Sequence, residues 1–391
     1  MNFELDDVQR MLKDGIHRYL THNYDAEARR RVLHGGGCLE ENWRHFVEMG
    51  WLGASLSEEE GGLGGGAAET VILMEEFGKA LVVEPFLPIA VLAVQTLIGT
   101  GAPAATDLVR AIVAGKRKVV LAHGEAAGRS MIEHVATRAQ RTDDIFTLHG
   151  TKTLVLGGPY ADSMIVSART SGADRDRHGI TLFLLDAKAM GARRDFRLAE
   201  GAWASELPLD GVEVHASAVL GDVDGGWPAL DRGHMHAILG ICAEAVGAMD
   251  SALWITRDYV RIRRQFGRPI GTFQALQHRM ADMLIELELS RSVVFRALSL
   301  IDAAPAIRSP ALSVAKAQIG RSAHFVGSQA IQLHGGIGVT EEHIIGQYFK
   351  RLTAIQNMFG TVSFHLGRIG AGYNAPSTVL SEEKELLHAV S

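Results

Sequence analysis

The order of residue patterns along the chain constrains its fold more than any single motif does. From about Arg117 to Asp222 short runs such as VVLAH, IFTLHGTKTLVL, SMIVSART and ITLFLLDA are rich in aliphatic and β-branched residues and are separated by Gly-, Asp- and Ala-rich turns. Such runs read as strands. On the N-terminal side Val8, Met11, Leu12, Ile16, Tyr19 and Leu20 recur at helical spacing behind Asp6 and Asp7, which are placed to cap a helix and to complement its dipole. On the C-terminal side Ile238 to Val260, Arg279 to Leu300 and Ala311 to Leu333 are helical, followed by a Gly335-Gly336 break and a final helix from about Glu342. The pattern predicts an α+β protein: an N-terminal helical domain over 1–116, a middle β-barrel or sandwich over 117–225 and a C-terminal helical bundle over 226–391.

Several function classes fall away on composition. Hydrophobic residues make up 47% of the 391, enough for a large core, and a net charge of -6 with dispersed basic residues argues against a nucleic-acid partner. Cys38 and Cys242 lie too far apart in sequence to suggest a disulfide framework, so reduced thiols and a cytoplasmic setting are expected. The opening MNFELDDVQRML carries acids where a signal peptide carries a basic and then apolar run, and reads as structure. Ala80 to Ile98 is apolar but interrupted by Glu84, Pro85 and Pro88, which predicts a buried helix pair rather than a membrane span. GGLGGG at 61–66 lacks both a preceding strand and a following Lys-Ser/Thr pair, and reads as a turn, not a phosphate loop. The 17 histidines include no pair at metal-ligand spacing with an acid in support, and no zinc or calcium site is expected. His334 reads as packed or bonded to backbone.

The sharpest local signal is Arg263 to Met283, RRQFGRPIGTFQALQHRMADM. Arg263, Arg264 and Arg268 sit in a turn broken by Gly267, Pro269 and Gly271, after which a helix restarts with Met280, Met283, Leu284 and Leu287 on one face. Basic groups and free amides at a helix start suit a diphosphate. An ordinary helix-loop-helix with a solvated basic turn gives the same pattern.

This stretch resembles the RxxFGxxIxxFQxxQxxxADM signature of the acyl-CoA dehydrogenase family, and QLHGGIGVTEEHIIGQYFKR at 332–351 resembles that family's other C-terminal signature. With weaker similarity at the N-terminus the likeness covers nearly the whole chain, and within the family it is most similar to the small subunit of pimeloyl-CoA dehydrogenase and similar two-subunit enzymes. The resemblance implies a helical, β, helical fold, FAD as cofactor, an acyl-CoA thioester as substrate in fatty-acid or steroid side-chain β-oxidation, and an electron-transfer flavoprotein as acceptor. In the family's reaction a carboxylate takes the Cα proton while the flavin receives the Cβ hydrogen as hydride, so a base, a held flavin ring and donors at the thioester carbonyl are all needed.

Residue by residue, the resemblance divides. The usual base lies in a YEGT-like motif, matched here by Met358-Phe359-Gly360-Thr361, which puts Phe359 at its position; the alternative base position, on the helix before the first signature, holds Ala237. Glu244 and Asp250 are candidate substitutes on that helix but are expected to be exposed or interface charges. The Trp-Ile-Thr that faces the flavin ring is matched by Leu154-Val155-Leu156, the Thr-Glu-Pro segment by Gly124-Glu125-Ala126, and the CoA-phosphate Arg by Ile238. By contrast Arg263, Gln265, Phe266 and Gln274 match the first signature and Gln332, Leu333, Gly335 and Gly336 the second, the two stretches that hold the FAD diphosphate and adenosine of a neighbouring subunit. The expectation is a base-lacking subunit of a heterotetrameric acyl-CoA dehydrogenase, with a homologous partner subunit. Three alternatives stay open: a self-sufficient homotetramer using Glu244, a flavin-dependent monooxygenase, and a non-catalytic structural paralogue.

Overall fold

The computed structural model describes residues 4–188 and 193–373. They group into two compact units that interleave along the chain, one drawn from Met1–Ala26, Val71–Val82 and Ile238–Ser391, the other from Glu27–Thr70 and Val83–Ala237.

Helices come first: α1 (Asp7–Asn23), α2 (Ala26–His34), α3 (Glu40–Glu48), α4 (Ala67–Ala80), α5 (Val94–Gly99) and α6 (Pro103–Val113). The N-terminal cap expected at Asp6 forms as a reciprocal pair, its carboxylate accepting from the Gln9 amide while Gln9 Oε1 accepts from the Asp6 amide. The apolar stripe of α1 is buried only in its second half: Ile16 and Leu20 are in the core, whereas Val8 and Met11 are exposed. The expected buried helix pair between Ala80 and Ile98 is instead the end of α4 followed by one continuous helix, a π-helical stretch at Leu87–Ala93 running into α5. GGLGGG is a turn region ahead of α4.

Eight strands follow in one mixed sheet: β1 (Val119–Ala122), β2 (Arg138–Thr142), β3 (Ile145–Leu156), β4 (Ser163–Arg169), β5 (Ile180–Asp186), β6 (Arg194–Arg197), β7 (Trp203–His215) and β8 (Val219–Leu220). Two halves, β6-β7-β3-β2 and β1-β4-β5-β8, meet through the single pair Arg138–Arg169. Arg169 is buried there and its guanidinium donates to the carbonyls of Glu133, Val135, Asp174, Asp176 and His178. Five acceptors satisfy a charge that burial alone would disfavour.

The remaining helices are α7 (Trp227–Ile262), α8 (Gln274–Ser299), α9 (Pro305–His334), α10 (Ile345–Asn357) and α11 (Val362–Tyr373). By length and composition α7 is apolar enough to cross a membrane, yet 78% of its apolar window is buried within the protein, the mark of a core helix. Its crossing with α4 is close enough to exclude side chains: a Cβ on Gly78 would lie 2.0 Å from Glu244 O and one on Gly247 1.9 Å from Glu75 O. Arg291 of α8 secures the same crossing, with Glu75 at 2.7 Å and Asp250 at 3.0 Å. On α8 Met283 and Leu287 are buried as expected, but Leu284 is exposed.

The single final helix expected from Glu342 is broken in two. Phe359 and Gly360 take φ of +55° and +115° between α10 and α11, and the break is held from below. Lys316, fully buried, donates to the carbonyls of Ile355 (2.9 Å), Gln356 (3.3 Å) and Gly360 (2.9 Å). It thereby caps carbonyls at the end of α10 with a cation at the negative end of the helix. His365 donates from Nε2 to Phe359 O (3.0 Å) and accepts at Nδ1 from the Ser313 hydroxyl (3.2 Å).

Two outcomes test this packing. Gly247→Ala is expected to lower stability by about 2 kcal/mol or more, because the methyl must push the backbones of α4 and α7 apart; a thermal melt that does not move contradicts the crossing. Burial draws the pKa of His365 from 6.5 down to about 4, so between those values the unfolded chain binds a proton that the folded chain excludes. Stability is full above that window and falls as pH drops through it, by up to about 1.4 kcal/mol per unit. Denaturation from about pH 7 to about pH 5 is therefore expected to cost the wild type about 1–2 kcal/mol more than His365→Gln.

Candidate functional site

Where α7 ends, the chain turns through a two-stranded hairpin of β9 (Arg264–Gln265) and β10 (Arg268–Pro269). The Arg263 amide donates to Tyr259 O at 2.9 Å, and Arg263 O accepts from the Ile270 amide at 2.8 Å, which closes the hairpin base. Its tip is Phe266-Gly267, with φ of +53° and +80°. Phe266 is 91% exposed, and Arg263, Arg264, Gln265 and Gln274, the first residue of α8, are exposed as well. Arg268 stacks over Phe273 at 4.3 Å. Among the described residues Arg263 and Arg264 have no carboxylate partner, so the hairpin carries uncompensated cations beside apolar surface.

The second signature lies at the end of α9. Gln332 is exposed, Leu333 and His334 are buried, and Gly335 takes φ +61° and ψ -141°, a conformation open to glycine. A Cβ on Gly335 or Gly336 would meet nothing within 4 Å, so both backbones face open space. Tyr259 ties the two stretches together. Its ring stacks on His334 at 4.3 Å and 23°, and its hydroxyl donates to His334 O at 3.3 Å. As expected, His334 is bonded to backbone, from Nδ1–H to Ala330 O at 2.8 Å; its Nε2 is buried and has no partner. Exposed guanidiniums and glycine backbone in open space fit a nucleotide diphosphate tail.

The positions matched to the flavin-ring contacts are different in kind. Leu154 sits at φ +52° on the bulge between Lys152 and Val155 and is 48% exposed. The Thr153 amide donates to Gly124 O at 2.7 Å, joining this bulge to the Gly124-Glu125-Ala126 segment. Glu125 faces inward: it accepts from the Ala136 and Thr137 amides, the Thr137 hydroxyl and Lys152 Nζ, at 2.6–3.0 Å. Burial opposes its charge, but Lys152 and these bonds hold its pKa below the ordinary value. Burial in turn draws the Lys152 ammonium down to about 8 against the pull of Glu125. Lys152 Nζ also reaches Ser167 Oγ at 3.2 Å, and Ser167 Oγ lies 2.9 Å from His123 Nδ1, whose ring meets His234 edge-on at 5.0 Å. This buried chain is satisfied from within the protein. Sequence reading passed over it, although Lys152 and Glu125 both lie in the motifs compared.

At the two positions that the resemblance assigns to the base, Phe359 lies on the clamped break and Ala237 is buried, as is its neighbour Ile238. Glu244, expected to be exposed, is buried and bound through both oxygens by Arg351, Nε–Oε1 at 2.5 Å and Nη2–Oε2 at 2.8 Å. Asp250 is likewise engaged, by Arg291 and by the Trp254 indole. Both side chains are engaged inside the protein because α7 is buried throughout 237–249 and these acids find arginines on α8 and α10. Among the described residues no group of three or more His, Cys, Asp or Glu is placed to hold a metal ion, and both cysteines are free.

Comparison with known proteins places this geometry. The chain matches the acyl-CoA dehydrogenase N-terminal domain over residues 6–107, the middle domain over 121–212 and the C-terminal domain over 224–373. It is 30% identical over 342 residues to acyl-CoA dehydrogenase FadE27 of Mycobacterium tuberculosis, covering 84% of this chain and 87% of that protein. It is 28% identical over 325 residues to a 3-(aryl)acrylate reductase of Clostridium sporogenes, covering 81% and 86%. Among solved structures, the ChsE4-ChsE5 complex of Mycobacterium tuberculosis superposes with a TM-score of 0.85 at 27% identity, covering 96% of this chain and all of that one. A variant of the Tcur3481-Tcur3483 steroid ACAD gives 0.83 at 30%, covering 97% and 99%. Family members are FAD-dependent oxidoreductases acting on the CH–CH bond of acyl-CoA thioesters. The helical and sheet architecture, the two C-terminal signatures and these matches agree: the chain belongs to the acyl-CoA dehydrogenase family.

Proposed function

We propose that this chain is the base-lacking subunit of a heteromeric, cytoplasmic acyl-CoA dehydrogenase, acting in β-oxidation of a fatty-acid or steroid side-chain thioester. The observation that carries this reading is the disposition of its carboxylates and cations. Glu244 and Asp250 are bound to arginines, and Phe359 and Ala237 occupy the base positions that the resemblance assigns. The arginines of the hairpin, in contrast, stand exposed beside the open glycine backbone. FAD, when bound, supplies the acceptor for hydride from the substrate Cβ. In this chain Arg263 would pair with the diphosphate, Gln265, Phe266 and Gln274 would line its approach, and Gln332, Leu333, Gly335 and Gly336 would take the adenosine.

A homologous partner supplies the Glu, the ring-facing Trp and Thr, and the acyl-CoA pocket. Support comes from the two similar structures named for pairs of proteins, at 27% and 30% identity. An electron-transfer flavoprotein as acceptor is supported by the likeness, at 27% identity, to a caffeyl-CoA reductase-Etf complex subunit. The self-sufficient reading loses its candidate base, since both oxygens of the Glu244 carboxylate are occupied by the Arg351 guanidinium.

Arg263→Ala in the co-expressed complex is expected to weaken FAD retention by about 10- to 100-fold, the value of one charge-assisted hydrogen bond to phosphate. Unchanged flavin content after gel filtration contradicts the tail assignment. Glu244→Gln is expected to lower the melting temperature by uncoupling a buried pair while leaving turnover per intact complex unchanged. Loss of turnover in a complex that stays folded restores Glu244 as the base.

A further inference from the structure

Neither tail signature, as matched, gives a role to His334, yet its Nε2 is buried and has no hydrogen-bond partner among the described residues. The ring is 3% exposed. Its Nδ1–H is committed to Ala330 O at 2.8 Å, and a neutral imidazole has one donor and one acceptor nitrogen, so Nε2 presents a bare lone pair. Burial, with His343 nearby, holds the pKa of the ring below its ordinary value and keeps it neutral. The orientation is fixed by the Tyr259 ring at 4.3 Å and by the Ala330 bond. His343, its ring centroid 4.7 Å from that of His334, is half-buried on the irregular stretch between the Gly335–Val339 turn and α10. His343 Nδ1 accepts from the Ile345 amide at 3.2 Å. The next residue after His334 begins the open glycine backbone.

We propose that His334 is a further binding residue of the tail site, with Nε2 accepting a hydrogen bond from the exocyclic amino group of adenine once the His343 side chain moves aside, and that Tyr259 is its positioning residue. The proposal rests on the tail-site reading and adds base selectivity to it. A bare acceptor repels phosphate oxygens, which are themselves acceptors and have the hairpin arginines as partners. The donors left in a nucleotide tail are the ribose hydroxyls and the adenine amino group. Hypoxanthine carries a carbonyl where adenine carries its amino group, and would set oxygen against the Nε2 lone pair at that position; its N1–H donor lies at the neighbouring ring atom, out of line with an acceptor placed for the amino group.

The test is calorimetric titration of the co-expressed complex, stripped of its FAD, with ADP and with inosine diphosphate, neither of which requires turnover. The wild type is expected to bind ADP about tenfold more tightly, because a site built to accept one hydrogen bond rejects a ligand that cannot donate it. His334→Leu is expected to bring the two ligands to equal affinity. His334→Gln, whose Oε1 restores an acceptor near the Nε2 position, keeps the preference, as does Tyr259→Phe; Tyr259→Leu loses it. Equal affinity in the wild type overturns the proposal without any variant having to fold, and so does a preference that survives His334→Leu. Failure of the wild type to bind either nucleotide removes the tail-site reading and this proposal with it, an outcome distinct from binding without selectivity.

Discussion

The crossing of α4 and α7 sets the terms for the C-terminal unit. At Gly78 and Gly247 the two backbones approach so closely that a methyl group on either would collide with a carbonyl oxygen. Contact this close leaves the neighbouring acids little room to reach solvent, and they are met inside the unit by Arg291 and Arg351. The Glu244–Arg351 pair joins α7 to α10, and Lys316 then holds the far end of α10 through three carbonyls. Breaking any one of these buried charges from its partners would leave the other uncompensated. Helix packing thus engages both acids of this stretch of α7 with arginines.

At two positions that the resemblance ties to catalysis the backbone is strained. Leu154 and Phe359 both sit in the left-handed region, which bulky residues enter at a cost of about 1–2 kcal/mol. Strained conformations of this kind gather at functional sites and persist when the surroundings over-determine them. Here the surroundings are plain: a register shift against β7 and the Thr153–Gly124 bond around Leu154, and the Lys316 and His365 clamp around Phe359. On the proposed reading this frame carries a leucine and a phenylalanine at the positions matched to a tryptophan and an acid, whereas the residues matched at the nucleotide tail are of the expected kinds.

Much of this was legible in the sequence, and what was not has physical causes. Helix periodicity marked α7 to α9, and the runs of β-branched residues marked β1, β3, β4 and β5. The strand β2 was invisible because RAQRT exposes all but Ala139, and β6 because RDFR is charged at three of its four positions. The 13-residue β7 contains Pro208 and Gly211, which read as breaks although the strand pairs along β3. The division between α10 and α11 escaped because a lone glycine, Gly360, is a weaker breaker than a pair, and the Lys316 ammonium that holds the break is 44 residues away. The stack of Tyr259 on His334 joins residues 75 apart, and the Glu244–Arg351 pair residues 107 apart, distances over which no periodicity operates. The Gly335-Gly336 break, in contrast, was plain, since glycine declares its conformational freedom locally.

On the proposed reading one polypeptide grips the dinucleotide tail while another holds the reactive ring. The flavin-to-protein ratio measures this directly, taken once on the chain purified alone and once on the chain co-purified with a homologous partner. The account predicts essentially no bound FAD in the first sample and full flavin occupancy, with acyl-CoA oxidation, only in the second. One FAD per protomer in the chain alone, reduced on addition of an acyl-CoA thioester, would contradict it.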